Sequence, residues 1–424
     1  MKLLPARNSG ARTRRFPMLA AIGPGLLLAA TGVGGGDLAT GTFVGSLLGT
    51  GLLWAVVVGA FMKYVITEGV ARWQLATGNT FLEGVFHKGG PVVIWAFLPY
   101  LLLFTFFVGG AQMSACGVAL VALFPVFDNP DNGKVVFGIA CSAVGVAMVL
   151  IGGYRLFEQV MRVCIGVMFV TVVLTAVLLW PGTGVVLRGL LVPTIPDFSG
   201  LGLTWTVALI GGIGGTVTML CYGYWMREEG RTDPDELRVC RVDLGAGYFM
   251  TALFGIAMVI IGSTIEIEGQ GTTLLVDLAD RLEGPLGPWG RWLFLIGAFG
   301  AVFSSLLGVW QSVPYIFADC WGLVRERHER GAQMTVDTSA WPYRAYLLLI
   351  ATVPMVGLFR GFQDVQRLYT VTGALFLPFV TLALLLLNSR TDWVGKSLKN
   401  SPWGSAALLV VLLFFSSLAV RTML

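Results

Sequence analysis

The chain has 424 residues, of which 56% are hydrophobic and 12% are charged, whereas charged residues make up about 25% of an ordinary soluble domain. So apolar a composition, with a formal net charge of only +4, excludes a disordered, fibrous, collagenous or nucleic-acid-binding protein. Apolar runs long enough to cross a bilayer recur along nearly the whole sequence. We therefore predict an all-α polytopic membrane protein whose surroundings are the lipid bilayer.

Windows of about 20 apolar residues predict eleven membrane-spanning helices after a tail at residues 1–17. The tail lacks a small-residue cleavage site, which favours a retained cytoplasmic tail over a signal peptide. Most lysines and arginines fall in loops on the side of this tail, so the N-terminus is predicted to be cytoplasmic and the protein to lie in the plasma membrane. The predicted spans are 18–47, 51–72, 91–124, 135–152, 156–180, 202–226, 244–264, 288–323, 342–359, 366–388 and 403–422.

Two of these spans are interrupted by glycines at corresponding positions of two halves. Spans one to five (18–180) form the first half, spans six to ten (202–388) form the second in inverted topology, and 403–422 is an extra eleventh helix. Gly34 lies in the break of span one and Gly215 in that of span six. Such a pair indicates a transporter's binding site, although close packing through small residues also explains membrane glycines.

Ionisable residues inside the spans require an explanation, because a charge at the membrane centre costs at least ~2.5–3.5 kcal/mol. Three of them, Asp37, Lys63 and Glu68, are candidates for a site or an ion pair. Asp37 is the most central and is predicted to cap a half-helix that begins at Leu38 and to bind a cation. Lys63 and Glu68 are expected to form an ion pair, with each other or with another helix.

Catalytic and structural-metal motifs are missing from the sequence. The six cysteines form no CxxC pair, and neither His87 nor His328 falls inside a span. There is no HExxH, no GxSxG and no phosphate-binding glycine loop with its lysine. We therefore expect neither an enzyme nor a bound cofactor.

Several short motifs follow one another along the predicted spans. They are Gly23-Pro24-Gly25, Asp37-Leu38-Ala39-Thr40, Ala76-Thr77-Gly78, Gly153 to Glu158, Arg241-Val242-Asp243, Leu282 to Gly287, Ser304-Ser305 and Leu377-Pro378-Phe379. In this order they resemble motifs of the Nramp family of divalent metal transporters, whose first helix has a GPG, then a DPGN motif and F-A-T, which the present sequence matches in part. The resemblance implies a LeuT-type fold with inverted repeats and alternating access.

The sequence departs from the family at the metal-binding positions. Gly34 stands where the family has its metal-binding aspartate, and Asp37 replaces the binding asparagine. In span six, ungapped alignment puts Thr218 at the family's methionine, whereas a one-residue slip would restore Met219 as a sulfur ligand. The glutamine of helix ten aligns with Thr370, and the acid of helix three has no counterpart.

The resemblance and these departures together predict a metal site built mainly from oxygen. Asp37 would be the charged ligand, Thr31, Gly34 and Gly215 would contribute backbone carbonyls, and side chains would complete the shell. The candidates for these side chains are Thr218 or Met219, and Thr370. Oxygen ligands favour Mg²⁺ or Mn²⁺, with Fe²⁺ possible if sulfur is a ligand.

We therefore expect a monomeric transporter of divalent metal ions that is not coupled to protons. The metal is cargo and not a cofactor. The alternative is a LeuT-type carrier of a small organic amine or amino acid, in which Asp37 would pair with an ammonium group and the glycines would leave room for the substrate.

Overall fold

The computed structural model describes residues 23–196, 200–265, 273–325 and 336–423, so the predicted tail at 1–17 lies outside it. These residues form helices joined by short turns, and no β-strand occurs among them. The helices of the first part are α1 (Pro24–Gly32), α2 (Gly35–Leu48), α3 (Leu53–Thr77), α4 (Phe81–Gly89), α5 (Pro91–Leu123), α6 (Pro130–Leu178) and α7 (Thr183–Leu191). Those of the second part are α8 (Leu201–Gly212), α9 (Cys221–Glu228), α10 (Leu237–Gly262), α11 (Leu274–Arg325), α12 (Trp341–Thr352), α13 (Phe362–Ala374), α14 (Leu377–Leu387), α15 (Thr391–Leu398) and α16 (Pro402–Met423).

Eight helical stretches in the described part of the chain are long and apolar enough to cross a membrane. Two of them extend over more than one predicted span. Gly35–Thr77, with 43 residues, includes the second part of span one and the whole of span two, and Pro130–Leu178, with 49, covers spans four and five. In the second, Gly153 has φ 58° and ψ −169° and interrupts the helix between the predicted spans four and five. A shorter apolar helix, Pro402–Ser417, corresponds to the predicted eleventh span. The eight stretches and the eleven predicted spans therefore describe the same architecture.

The glycine breaks occur where the sequence predicts them, between α1 and α2 (helix one) and between α8 and α9 (helix six). Helix α1 ends at Gly32 and α2 begins at Gly35. Helix α8 ends at Gly212, and a 3₁₀ turn at Val217–Leu220 leads into α9. Between them Gly214 and Gly215 have φ values of 71° and 77°, a left-handed conformation that side chains with a Cβ rarely adopt. Glycine is therefore required at this second break.

The broken helices lie at the centre of the bundle. In the apolar part of Leu201–Glu228, 89% of residues are buried, against 22% in Pro130–Leu178. Large apolar side chains such as Ile151 and Phe379 are exposed on the outer surface, as expected where helices face lipid. Any site at the breaks is thus enclosed by protein.

The beginning of α1 is held by a buried carboxylate on α10. Asp243 accepts hydrogen bonds from the backbone N–H groups of Gly23 (3.0 Å) and Gly25 (2.9 Å). The first N–H groups of a helix have no partners within it, so this carboxylate acts as their cap. Arg231 pairs with Asp243 at 2.8 Å, and the Tyr222 hydroxyl donates to it at 3.0 Å.

Candidate functional site

The two helix breaks lie against each other with almost no space between their backbones. A Cβ atom added to Gly32 would lie 2.5 Å from the carbonyl carbon of Gly214, closer than real Cβ contacts. Glycine at position 32 is therefore what lets the break of helix one approach that of helix six. The backbone groups that have no partner within their own helix lie on either side of this crossing of the two breaks.

Asp37 connects the two breaks. Its side chain is 2% exposed, and its Oδ2 accepts a hydrogen bond of 3.1 Å from the Gly214 N–H. Its Oδ1 is buried with no hydrogen-bond partner among the described residues. The predicted N-cap role is wrong, because α2 begins at Gly35, its N-cap is Gly34, and no side chain caps it. One oxygen of Asp37 thus holds helix six while the other remains available to a cation.

Lys63 lies at the same crossing, on the side opposite Asp37. Its side chain is 0% exposed, and its ammonium group donates to three backbone carbonyls, those of Gly211 (2.7 Å), Ile213 and Gly215. An ammonium has three donors and all three are used. The predicted ion pair of Lys63 is therefore wrong, since this lysine bonds to the broken backbone of another helix.

A single peptide group separates the two opposite charges. The carbonyl of Ile213 accepts from Lys63, and the N–H of Gly214, in the same peptide group, donates to Asp37. The ammonium lies at the C-terminal end of α8, where the helix dipole is negative, and the carboxylate lies in the first turn of α2, where it is positive. Together the two side chains carry no net charge.

Further buried oxygens without hydrogen-bond partners among the described residues lie near the two breaks, and two of them belong to glutamines that the sequence did not identify as candidates. A Cβ on Gly35 would lie 3.2 Å from Gln112 Oε1 and 3.6 Å from Gln366 Nε2. Gln366 Nε2 donates to a backbone carbonyl of α5 at 2.8 Å, which leaves its Oε1 free among the described residues. Buried amides within apolar spans were the signal that could have identified both. In the part of the chain that the structure describes, the unpartnered oxygens near this crossing are Asp37 Oδ1, Thr40 Oγ1, Gln112 Oε1, Thr216 Oγ1 and Gln366 Oε1.

Four of the predicted ligand positions already have partners inside the protein. The Thr31 carbonyl accepts from the Ser305 hydroxyl at 2.6 Å, and the Gly34 carbonyl accepts from the Leu38 N–H at 2.9 Å. The Gly215 carbonyl accepts from Lys63, and the Thr370 hydroxyl donates to carbonyls of its own helix. A carbonyl oxygen has a second lone pair, so these bonds reduce its capacity to bind a metal without abolishing it.

Thr218 and Met219 are both buried in the break of helix six, and the choice between them stays a prediction. Thr218 Oγ1 lies 2.7 Å from the position that a Cβ on Gly215 would take. The N–H of Met219 donates to the Thr216 carbonyl at 3.1 Å. In the alignment shifted by one residue, Cys221 would be a second sulfur-containing candidate beside Met219. Its thiol donates a hydrogen bond of 3.3 Å to the carbonyl of Ser312 on α11.

Glu68 and Asp319 are further acids within the predicted spans, and both have their partners away from the crossing. Glu68 forms ion pairs with Arg72 (3.1 Å) and Arg241 (2.8 Å), so its predicted pairing with another helix is confirmed. Asp319 on α11 is a buried acid that the sequence did not single out. Its Oδ2 accepts hydrogen bonds from the hydroxyls of Thr80 (2.9 Å) and Tyr224. Its Oδ1 has no hydrogen-bond partner among the described residues. No group of three or more His, Cys, Asp or Glu side chains that could hold a metal occurs in the described ranges. A cation at the crossing would therefore have a single carboxylate and otherwise neutral oxygens.

Comparison with known proteins gives one consistent result. The family model "natural resistance-associated macrophage protein-like" (Nramp) matches residues 25–424. The divalent metal cation transporter MntH of Brucella suis is 23% identical over 434 residues, which cover 97% of this chain and 90% of that protein. A histidine-to-alanine mutant of the Eremococcus coleocola manganese transporter aligns with a TM-score of 0.74 at 18% identity, over 99% of this chain and 88% of that one. MhsT, solved with L-phenylalanine, aligns with a TM-score of 0.61 at 16% identity, over 94% and 97% of the two chains. These structural likenesses establish the LeuT-type fold.

Proposed function

The chain belongs to the Nramp family, and on that basis we propose that it carries divalent metal ions across the membrane through the crossing of its two broken helices. The relatives named above as a divalent metal cation transporter and a manganese transporter support this cargo class. Alternating access would expose the crossing to one side of the membrane at a time, with the broken helices moving against the rest of the bundle.

The observation that carries the proposal is the free oxygen of Asp37. A buried carboxylate oxygen without a partner is costly, and a bound cation would satisfy it. The amide oxygens of Gln112 and Gln366 and the hydroxyl of Thr40 supply further neutral ligands nearby. An oxygen shell suits hard ions, so Mg²⁺ and Mn²⁺ are favoured over Fe²⁺.

The charge of Lys63 bears on which ion is carried. Because Asp37 and Lys63 together are neutral, a divalent ion at the crossing meets less net attraction than at a site with an unopposed carboxylate. A site that binds weakly is still occupied when the ion is abundant, but it stays largely empty when the ion is scarce. Of the two favoured ions, we therefore place Mg²⁺ first.

The organic-amine alternative has less support. It needs the glycines of span one to leave space, yet these glycines are tightly packed. A Cβ on Gly34 would lie 1.9 Å from Ser305 Cβ, one on Gly35 2.4 Å from Ala115 Cβ, and one on Gly36 2.8 Å from the ring of Tyr369. The glycines serve close packing here, which favours a small ion.

Uptake by proteoliposomes tests the proposal directly. Purified protein is reconstituted with a metal-sensitive dye inside, and Mg²⁺, Mn²⁺, Fe²⁺ and Ca²⁺ are added one at a time. Radiolabelled alanine and methylamine serve as organic controls. We expect uptake of Mg²⁺ or Mn²⁺ and none of the organic compounds. Uptake of an organic compound without any metal would overturn the proposal in favour of the alternative.

A further inference from the structure

The carbonyls in the break of helix six form a second cation-binding place, distinct from the free oxygen of Asp37. Those of Gly211, Ile213 and Gly215 converge on one point, which the ammonium of Lys63 occupies. Gly211 belongs to the last turn of α8, whose final carbonyls have no partners within the helix. The negative end of the helix dipole adds to the attraction for a positive charge.

On the premise of the proposed function, we propose that this place is a monovalent-ammonium site that the chain fills with its own Lys63. The number of donors equals the number of acceptors, because the three N–H groups of the ammonium each donate to one of the three carbonyls. The bonds are charge-assisted, and Lys63 lies near the middle of the 25-residue helix α3, where only such partners make a buried charge tolerable.

The site gives Lys63 the role of a positioning residue. By holding the carbonyls of Ile213 and Gly215, the ammonium fixes the peptide group that offers the Gly214 N–H to Asp37. Asp37 is thereby held through one carboxylate oxygen, and its other oxygen stays buried without a hydrogen-bond partner among the described residues. Since the cation that organises the break is covalently attached, metal transport needs no free monovalent ion such as Na⁺ or K⁺.

Chemical rescue tests the site without depending on transport. Lys63→Ala removes atoms equivalent to one molecule of n-propylammonium. We expect n-propylammonium at millimolar concentration to raise the melting temperature of the purified variant in a dose-dependent way. The uncharged analogue n-propanol should have no such effect, and neither compound should stabilise the wild type or Lys63→Met, whose side chain fills the space. An unchanged melting temperature of folded Lys63→Ala would overturn the ammonium site, whatever the cargo proves to be.

Uptake measurements cover the case in which Lys63→Ala does not fold. Lys63→Met keeps the volume and loses the charge together with all three hydrogen bonds. We expect it to take up metal at least roughly tenfold more slowly, because the loss of even one charge-assisted hydrogen bond has an effect of about that size. Wild-type uptake rates from Lys63→Met would contradict the positioning role. For the wild type itself, replacing Na⁺ and K⁺ by choline should leave uptake unchanged, and a requirement for either ion would show that the break is organised by a free cation instead.

Discussion

Asp37 performs two tasks with its two carboxylate oxygens, and a conservative substitution separates them. Asp37→Asn retains an oxygen that can accept from the Gly214 N–H, so the connection between the helix breaks is kept. It removes the negative charge that would bind the metal. We expect affinity for the transported ion to fall by roughly 100-fold, equivalent to about 2.7 kcal/mol, as measured by calorimetry on the purified variant.

Asp337→Asn is a matched control for this substitution, because it removes a carboxylate outside the spans. Asp337 precedes α12, and hydrogen bonds from the hydroxyl and N–H of Ser339 keep the pKa of its carboxyl below the ordinary value. It is thus ionised at neutral pH, as a metal-binding Asp37 would be. Equal affinities of the two variants and the wild type would refute the role of Asp37.

The ligand from helix six is identified by a reciprocal pair of substitutions. If Thr218 faces the ion, Thr218→Met adds a soft sulfur ligand and should shift preference from Mg²⁺ toward Mn²⁺, Fe²⁺ or Cd²⁺, while Met219→Ala should alter selectivity little. Competition between these metals in the uptake assay gives the ratio of Mg²⁺ taken up to each of the softer metals. The reverse pattern would mean that Met219 is the ligand and that the alignment is one residue out.

At the scale of the helices, the break of helix one requires a residue without a side chain at position 34. In Gly34→Ala the new Cβ would lie 1.9 Å from Ser305 Cβ. The collision also threatens the hydrogen bond from Ser305 to the Thr31 carbonyl. We expect a loss of about 1–3 kcal/mol from overpacking, read as a lower melting temperature in detergent.

Gly245→Ala supplies the comparison for Gly34→Ala. Gly245 lies inside α10, and nothing is found within 4 Å of the Cβ it would gain. Alanine there should be neutral or stabilising by about 0.5–1 kcal/mol, because it lowers the entropy of the unfolded chain. In a double-mutant cycle, Ser305→Gly should recover part of the loss caused by Gly34→Ala and do nothing for Gly245→Ala. Equal effects of the two alanines would show that the break is not sterically restricted.

The sequence predicts these helices far better than it predicts their contacts. Hydropathy locates the spans, and glycine clusters locate both breaks, because these signals are local. The partners of Lys63 are not local, since they are backbone carbonyls that become available only when another helix unwinds. For the same reason, Gln112 and Gln366 read as ordinary polar residues until the fold places them beside Gly35. Family motifs indicated Asp37 and Thr370, whose role as a ligand stays a prediction, but they did not indicate Gln366, one helical turn before Thr370.

For the molecule as a whole, the distribution of acids determines whether protons can accompany the metal. A carboxylate that binds a divalent cation is held ionised, so Asp37 cannot easily carry a proton as well. Glu68 is paired with two arginines. His87 lies on the exposed part of α4 and His328 outside the described residues. Among the described residues, Asp319 is the remaining buried acid with an unpartnered carboxylate oxygen, and it contacts Thr80, the N-cap of α4, and Tyr224 on α9 instead of the crossing.

We therefore predict transport that is not coupled to protons and is driven by the ion's own gradient and the membrane potential. A divalent ion gains about 4.6 kcal/mol from an inside-negative potential of about 100 mV, which allows accumulation on the order of a thousandfold. A pH-sensitive dye inside proteoliposomes should report no acidification during metal uptake. Glu68→Gln and Asp319→Asn should change neither the dye signal nor its ratio to metal taken up. Acidification that follows uptake in the wild type and disappears in one of these variants would reverse the prediction and identify that acid as the proton carrier.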